Sequence, residues 1–247
     1  MLQTVRSRRG MVVAPHHLAA RAGARVLEEG GNAIEAMVAA ASTIAVAYPH
    51  MNALGGDNFW LIHAPGRDVV GIDACGAAAG KADLAFYAGH DTIPERGPLA
   101  ALTVAGAVSG WQEALTVSRS DWGGALPLTR LLEEAAFLAE DGIAVTRTQA
   151  ANTAGKLAEL KDAPGFVETY LDAGAPPREG DRFRQPRLAE TLRRLSRTGL
   201  ADFYRGGLAQ AIAADLSRAG SPLSLADLER HQALRVAPLT ATVAGHR

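Results

Sequence analysis

The residues best suited to chemistry crowd into one short turn, Pro49 to Asn58, where His50, Asn52, Asp57 and Asn58 surround the pair Gly55–Gly56. Paired glycines let a backbone approach a ligand closely, and an amide and a carboxylate converging in a loop can bind a small polar molecule. Asp57 could receive a cation or a substrate amine, although a carboxylate in a turn more commonly caps the backbone that follows it. A second stretch, Asp73 to Ala79, is made of small residues around Cys75 and Gly76 and leaves backbone exposed. Cys75 has no histidine near it in sequence, so it reads as a packing residue rather than a nucleophile. His16 and His17 are adjacent, do not share a helix face and lack the i, i+4 spacing of metal ligands, so capping is their expected role. No nucleophile elbow, phosphate loop, dinucleotide fingerprint or paired His/Cys motif is present.

These residues must be held by the elements on either side. Asn32 followed by Glu35 is the Asn form of a capping box. It opens a run to Tyr48 that is apolar or small almost throughout, the pattern of a helix buried on every side. The run is too short for a membrane span and Pro49 stops it. Phe59 to Ile62 and Asp68 to Asp73 read as a hairpin joined through Ala64-Pro-Gly-Arg67. Earlier, Met11 to Ala14 is a strand candidate, and Leu18, Ala22 and Val26 form the apolar stripe of a helix closed by Gly30–Gly31. Later, helices are expected near Gln112 to Arg119, from Leu128 to Ala139 with Gly142 as the stop, from a Thr146/Gln149 capping box to about Lys161, from Pro186, along Leu208 to Leu216, and from Ser224/Asp227. Pro-rich residues 173–186 read as a loop, and Pro238 to Val243 as a strand without a partner.

Composition excludes several classes. The 247 residues are 48% hydrophobic, enough for one large core or two modest ones. Lys plus Arg total 25 against 26 Asp plus Glu, so no net field recruits nucleic acid or an anionic membrane. One cysteine precludes an intrachain disulfide or a multi-thiolate zinc site. Residues 1–10 form a basic arm, expected to be flexible, and lack the apolar core of a secretory signal. A cytoplasmic location is expected, or a periplasmic one if a leader was removed. The ending at Gly245, His246 and Arg247, just after a strand candidate without a partner, leads us to expect a piece of a longer protein.

Six blocks carry a resemblance: Gly10 to Ala41, Tyr48 to Ile62, Thr103 to Trp111, Leu126 to Val145, Gln185 to Leu216 and Ser224 to Gln232. In order and spacing they resemble the γ-glutamyltransferase family of N-terminal-nucleophile hydrolases. Residues 55–61 (GGDNFWL) and 72–76 (IDACG) look most like its branch containing oxamate amidohydrolase. The resemblance implies an α/β (α+β) fold forming part of a four-layer α-β-β-α sandwich, with residues 11–247 as the larger portion of a self-cleaving precursor. It further implies that the nucleophile is a Thr at the N-terminus of a partner small subunit. The Thr hydroxyl would attack an amide carbonyl, with its own α-amine, of ordinary pKa about 7.7–8.0, as base. On that reading this chain holds no catalytic residue, is inactive alone and needs no metal or cofactor. It lines one wall of a small-amide pocket with Asn52, Gly55, Gly56, Asp57, Cys75 and Gly76.

One departure bears on the substrate. In γ-glutamyl-processing members an Arg after the second hairpin strand grips the α-carboxylate, whereas here the neighbourhood is Ala74, Cys75, Gly76 and Ala77. Lys81 is close by and reads as solvated. A smaller or differently charged amide than glutathione is therefore expected. The alternative from another class is a non-catalytic binding or scaffold protein that kept this half of the fold.

Overall fold

In a computed structural model, residue 4 and residues 6–244 are described; the outermost part of the basic arm and the final Gly245–Arg247 lie outside them. The elements in chain order are α1 (His17–Glu28), α2 (Ala33–Ala47), β1 (Asn58–Ile62), β2 (Val70–Ala74), α3 (Ala107–Asp121), α4 (Leu128–Leu131), α5 (Glu133–Asp141) and β3 (Ile143–Ala144). They continue with α6 (Arg147–Leu160), α7 (Phe166–Tyr170), β4 (Arg182–Phe183), α8 (Pro186–Thr198), α9 (Asp202–Arg205), α10 (Gly207–Ala219), α11 (Leu225–Arg230) and β5 (Leu234–Val236).

The expected capping box forms, and it does more than start a helix. The Asn32 side chain accepts from the backbone N–H of Ile34 and Glu35, and Glu35 returns a bond to the Asn32 N–H. The same two side chains reach across to later segments: Asn32 Nδ2 donates to Ser118 Oγ at 2.8 Å, and Glu35 Oε1 accepts from the Leu126 N–H at 2.8 Å. Glu35 is buried with its carboxylate satisfied by backbone N–H groups, which is how a buried charge is tolerated. One cap thus pins α2 to the last turn of α3 and to the segment that leads into α4. Along α2, Val38, Ala39, Ala40, Val46 and Ala47 are buried, but Met37 is 40% exposed. The helix is therefore covered on most of its circumference rather than all of it.

Trp111, Leu131, Leu132, Leu192, Leu195 and Tyr204 lie at the centre of the main core. Each fully buried large apolar side chain contributes about 1.5–3 kcal/mol of transfer free energy. The single helix expected over Leu128 to Ala139 is broken at Leu132, whose backbone (φ −98°, ψ −2°) separates α4 from α5. Thr146 caps α6 by accepting from the Gln149 N–H at 3.1 Å. The Gln149 side chain does not return that bond, so the box is only half made.

β1, β2 and β5 form an antiparallel sheet in that order. Its inner face, with Ile62, Ile72 and Ala74, packs on Ala114 and Val117 of α3. On the outer face Phe59 is 67% and Leu61 74% exposed, beside Leu234 and Val236. Two strand expectations are corrected. The third strand is Leu234–Val236 and not Pro238 to Val243, because Pro238 has no N–H to give a ladder and ends the strand that precedes it. Met11 to Ala14 alternates in burial as a strand would, yet it pairs with no strand among the described residues. Val12 instead packs over Gly23, where an added Cβ would lie 3.0 Å from Val12 Cγ1.

Candidate functional site

The turn that carries the polar residues leaves the end of α2 by a short coil, with the Met51 and Asn52 N–H groups both donating to the Tyr48 carbonyl at 3.1 Å. Buried Leu54 anchors it, and the Gly56 carbonyl accepts from the Ala107 N–H of α3 at 2.8 Å. These contacts place Asp57 just before β1. Because Asn58 pairs with Ala74 in the hairpin, Asp57 then faces the residues just after β2.

Asp57 does not cap its own turn. Its Oδ1 accepts from the Gly76 N–H at 3.0 Å, and its Oδ2 lies 3.7 Å from Cys75 Sγ, which donates to it. Asp73 Oδ1 accepts from the Cys75 N–H at 2.9 Å. The Asp57 carboxylate, then burial and the Asp73 charge, push the Cys75 thiol above its ordinary range, so it stays protonated at neutral pH. A protonated thiol is a weak donor and a poor nucleophile. Gly76 is required by its surroundings: a Cβ there would sit 1.6 Å from the Val104 carbonyl oxygen.

The structure therefore joins Asp57, Cys75 and Gly76 by hydrogen bonds and ties Gly56 to the adjoining helix. Asn52, half-buried, and Gly55, exposed, lie earlier in the same turn, and neither side of the Asp57 cluster hydrogen-bonds to them. His16 caps α1 by accepting from the Leu18 N–H at 3.3 Å, as expected.

Beneath the cluster lies a polar group of residues that local sequence patterns do not disclose. The Tyr204 hydroxyl accepts from the Ser109 N–H and donates to the Ala105 carbonyl, both at 2.8 Å, while Ser109 Oγ accepts from the Ala233 N–H at 2.7 Å. Burial pushes the Tyr204 phenol well above its ordinary pKa. The His231 ring sits 5.2 Å from that of Tyr204, and its buried Nε2 has no hydrogen-bond partner among the described residues. Burial, with Arg205 nearby, lowers the His231 pKa, against the opposing pull of Asp57. The available signal was Gly106 and Gly110, four residues apart on one helix face. A Cβ at Gly106 would lie 1.8 Å from the Ala74 carbonyl, and one at Gly110 would lie 2.9 Å from Asn58 Oδ1. Such spacing marks a helix pressed against strands.

Chemically, this wall offers an exposed carboxylate and a neutral thiol, with the Cys75 and Gly76 N–H groups already engaged. Asp57 and Asp73 form no ion pair among the described residues. No cluster of three or more metal-ligating side chains occurs among those residues, and no helix there is long and apolar enough to cross a membrane. The arrangement can orient a small polar molecule, and the Cys75 thiol, kept protonated beside Asp57, is a poor nucleophile there.

A helical layer on one face of an antiparallel sheet, with a glycine turn feeding the first strand, belongs to the γ-glutamyltranspeptidase class of N-terminal-nucleophile hydrolase folds. Residues 19–247 match the Gamma-glutamyltranspeptidase family, and the chain is a member of that family. It is 59% identical over 234 residues to the oxamate amidohydrolase proenzyme of Klebsiella pneumoniae subsp. pneumoniae, covering 95% of this chain and 44% of that protein. It is 35% identical to the glutathione hydrolase-like YwrD proenzyme of Bacillus subtilis, covering 100% of this chain and 46% of that one. The chain thus spans less than half the length of these curated relatives. Among solved structures, the γ-glutamyltranspeptidase of Helicobacter pylori superposes with a TM-score of 0.89 at 28% identity, covering 98% of this chain and 70% of that one. The cephalosporin acylase of Bacillus halodurans gives 0.83 at 31%, covering 99% and 47%.

Proposed function

We propose that residues 11–247 are the large-subunit portion of an autoprocessed amidohydrolase or acyltransferase. A further chain carrying an N-terminal Thr completes it and performs the attack on a small amide. The observation that carries this reading is the outer face of the β1-β2-β5 sheet. Phe59 and Leu61 stand largely exposed there beside Leu234 and Val236, at the strands that hold Asp57 and Cys75, so the face suits a covering layer. The proenzyme relatives, about twice as long as this chain, support the same reading.

In this account Asn52, Gly55, Gly56, Asp57, Cys75 and Gly76 form one wall of the amide pocket. The Asp57 carboxylate, exposed although it accepts from the Gly76 N–H and the Cys75 thiol, favours a hydrogen-bond donor on the substrate, and this wall offers no bidentate partner to a glutamyl α-carboxylate. A short amide of the oxamate type is the substrate we favour on the name of the 59% identical relative; its carboxylate would take its cationic partner from outside this wall. Without the complementary chain the large portion is inactive.

The test is intact mass measurement and N-terminal sequencing of the purified full-length product, followed by turnover assays with oxamate and γ-glutamyl amides. A co-purifying chain starting at Thr and release of ammonia from oxamate are expected. A single unprocessed species without turnover would favour the non-catalytic binding or scaffold reading.

A further inference from the structure

A second cleft opens between α6, α7 and the first residues of the turn after α2. Its volume is about 490 Å³, within the range of small-molecule sites, and its lining includes none of Asn52, Asp57, Cys75 or Gly76. One wall is built from Phe166 and Tyr170, whose rings lie 5.4 Å apart, and Tyr170 stacks on Phe183 at 6.1 Å with an interplanar angle of 15°. The facing wall is the inner side of α6, and its chemistry is unusual. The two residues that α6 buries are polar, Gln149 and Thr153, where an ordinary surface helix would bury Leu or Ala. Asn152, Thr153 and Lys156 continue that side of the helix into the cleft.

One polar residue of the lining, His50, has both ring nitrogens without a hydrogen-bond partner among the described residues. Burial lowers the His50 pKa, so at neutral pH its ring offers one donor and one acceptor. An unpartnered buried donor or acceptor is costly, and one at the edge of a cleft favours a polar occupant. At the rim, Lys156 Nζ lies 2.7 Å and Arg96 Nε 3.4 Å from the Glu159 carboxylate. Two cations share one anion, which leaves one positive charge over.

We propose that this cleft binds a small aromatic carboxylate, its ring against Phe166 and Tyr170 and its charge against Lys156 and Arg96. Asn152 and Thr153 supply neutral donors beside the carboxylate, and the ring displaces water from the apolar wall. Neither a bare inorganic anion nor an uncharged ring satisfies both walls.

The experiment is calorimetric titration of the full-length protein with benzoate, benzamide and acetate, joined to a crystal structure with benzoate. Saturable benzoate binding with a Kd of about 1 mM or tighter is expected, with benzamide and acetate each at least about tenfold weaker. The Lys156→Gln/Arg96→Gln double variant should weaken benzoate by about tenfold or more, and Lys156→Arg should retain it. Both side chains are half exposed, so these changes leave the fold intact, as the melting temperature will verify. The proposal is overturned if benzoate does not saturate, if benzamide binds equally well, if the double variant binds unchanged, or if the crystal shows ordered water alone in the cleft. Binding is read without turnover, so a failed amidase assay leaves this result standing.

Discussion

Two glycine-rich places meet at the candidate site, and they are held by different causes. At Gly76 and Gly106 a Cβ would lie 1.6 Å and 1.8 Å from backbone carbonyl oxygens of the facing segment. Both glycines are therefore demanded by this chain's own packing, where the exit of β2 and the start of α3 run backbone against backbone. At Gly55 a Cβ meets nothing within 4 Å, and at Gly56 only the Ala53 carbonyl at 3.7 Å. Neither adopts the left-handed backbone that favours glycine. The fold of this chain gives no reason for glycine at those two positions. Under the proposed function, their openness would belong to the surface that substrate and the complementary chain approach.

The contrast can be broken in order of effect. Gly76→Ala should be the most damaging change, because the Val104 carbonyl cannot yield the space. A loss of more than about 3 kcal/mol, seen as a collapse in soluble yield or in the urea midpoint, is expected. Near wild-type stability would show that the backbone contact relaxes cheaply and would remove the distinction. Tyr204→Phe comes next, since it strands the Ser109 N–H and the Ala105 carbonyl beneath the cluster; denaturant titration should find about 1–3 kcal/mol lost.

His231 gives a pH signature to the packed side of the comparison. Burial holds its imidazole below its ordinary value of 6.5, so below that pH the unfolded chain takes up a proton that the native chain resists. Its contribution is complete above about pH 6.5 and is lost as pH falls from there toward the native value. His231→Gln should flatten this part of the stability profile, and an unchanged slope would remove His231 as its source. Gly55→Ala should have the smallest effect on stability, within about 0.5 kcal/mol of wild type, while lowering turnover of the assembled enzyme. Unchanged kinetics would take Gly55 out of the proposed pocket.

Much of the positioning frame was legible in the residues. Asn32 with Glu35, Ser224 with Asp227, and Gly142 after α5 mark helix ends because the bonds they make span three or four residues. The β1–β2 hairpin follows from alternation around a short turn for the same reason. Asp57 stands out in the sequence as a polar turn residue, and the partner expected there, the backbone that follows it, is not the one it takes. Its carboxylate reaches Gly76, nineteen residues away, because hairpin register sets the two side by side.

The amino-acid sequence by itself thus determined most of the longer helices, the Asn32 and Ser224 caps, the hairpin and membership of the γ-glutamyltranspeptidase family, all of which rest on short-range bonds or on patterns carried in order along the chain. Only the tertiary structure decided that Leu234–Val236 is the third strand, that Cys75 is held protonated by Asp57, and that Tyr204, Ser109 and His231 lie under the site. Each of those outcomes depends on which distant backbone or charge arrives alongside. Spacing along the chain does not encode such meetings, and packing of the sheet against α3 does.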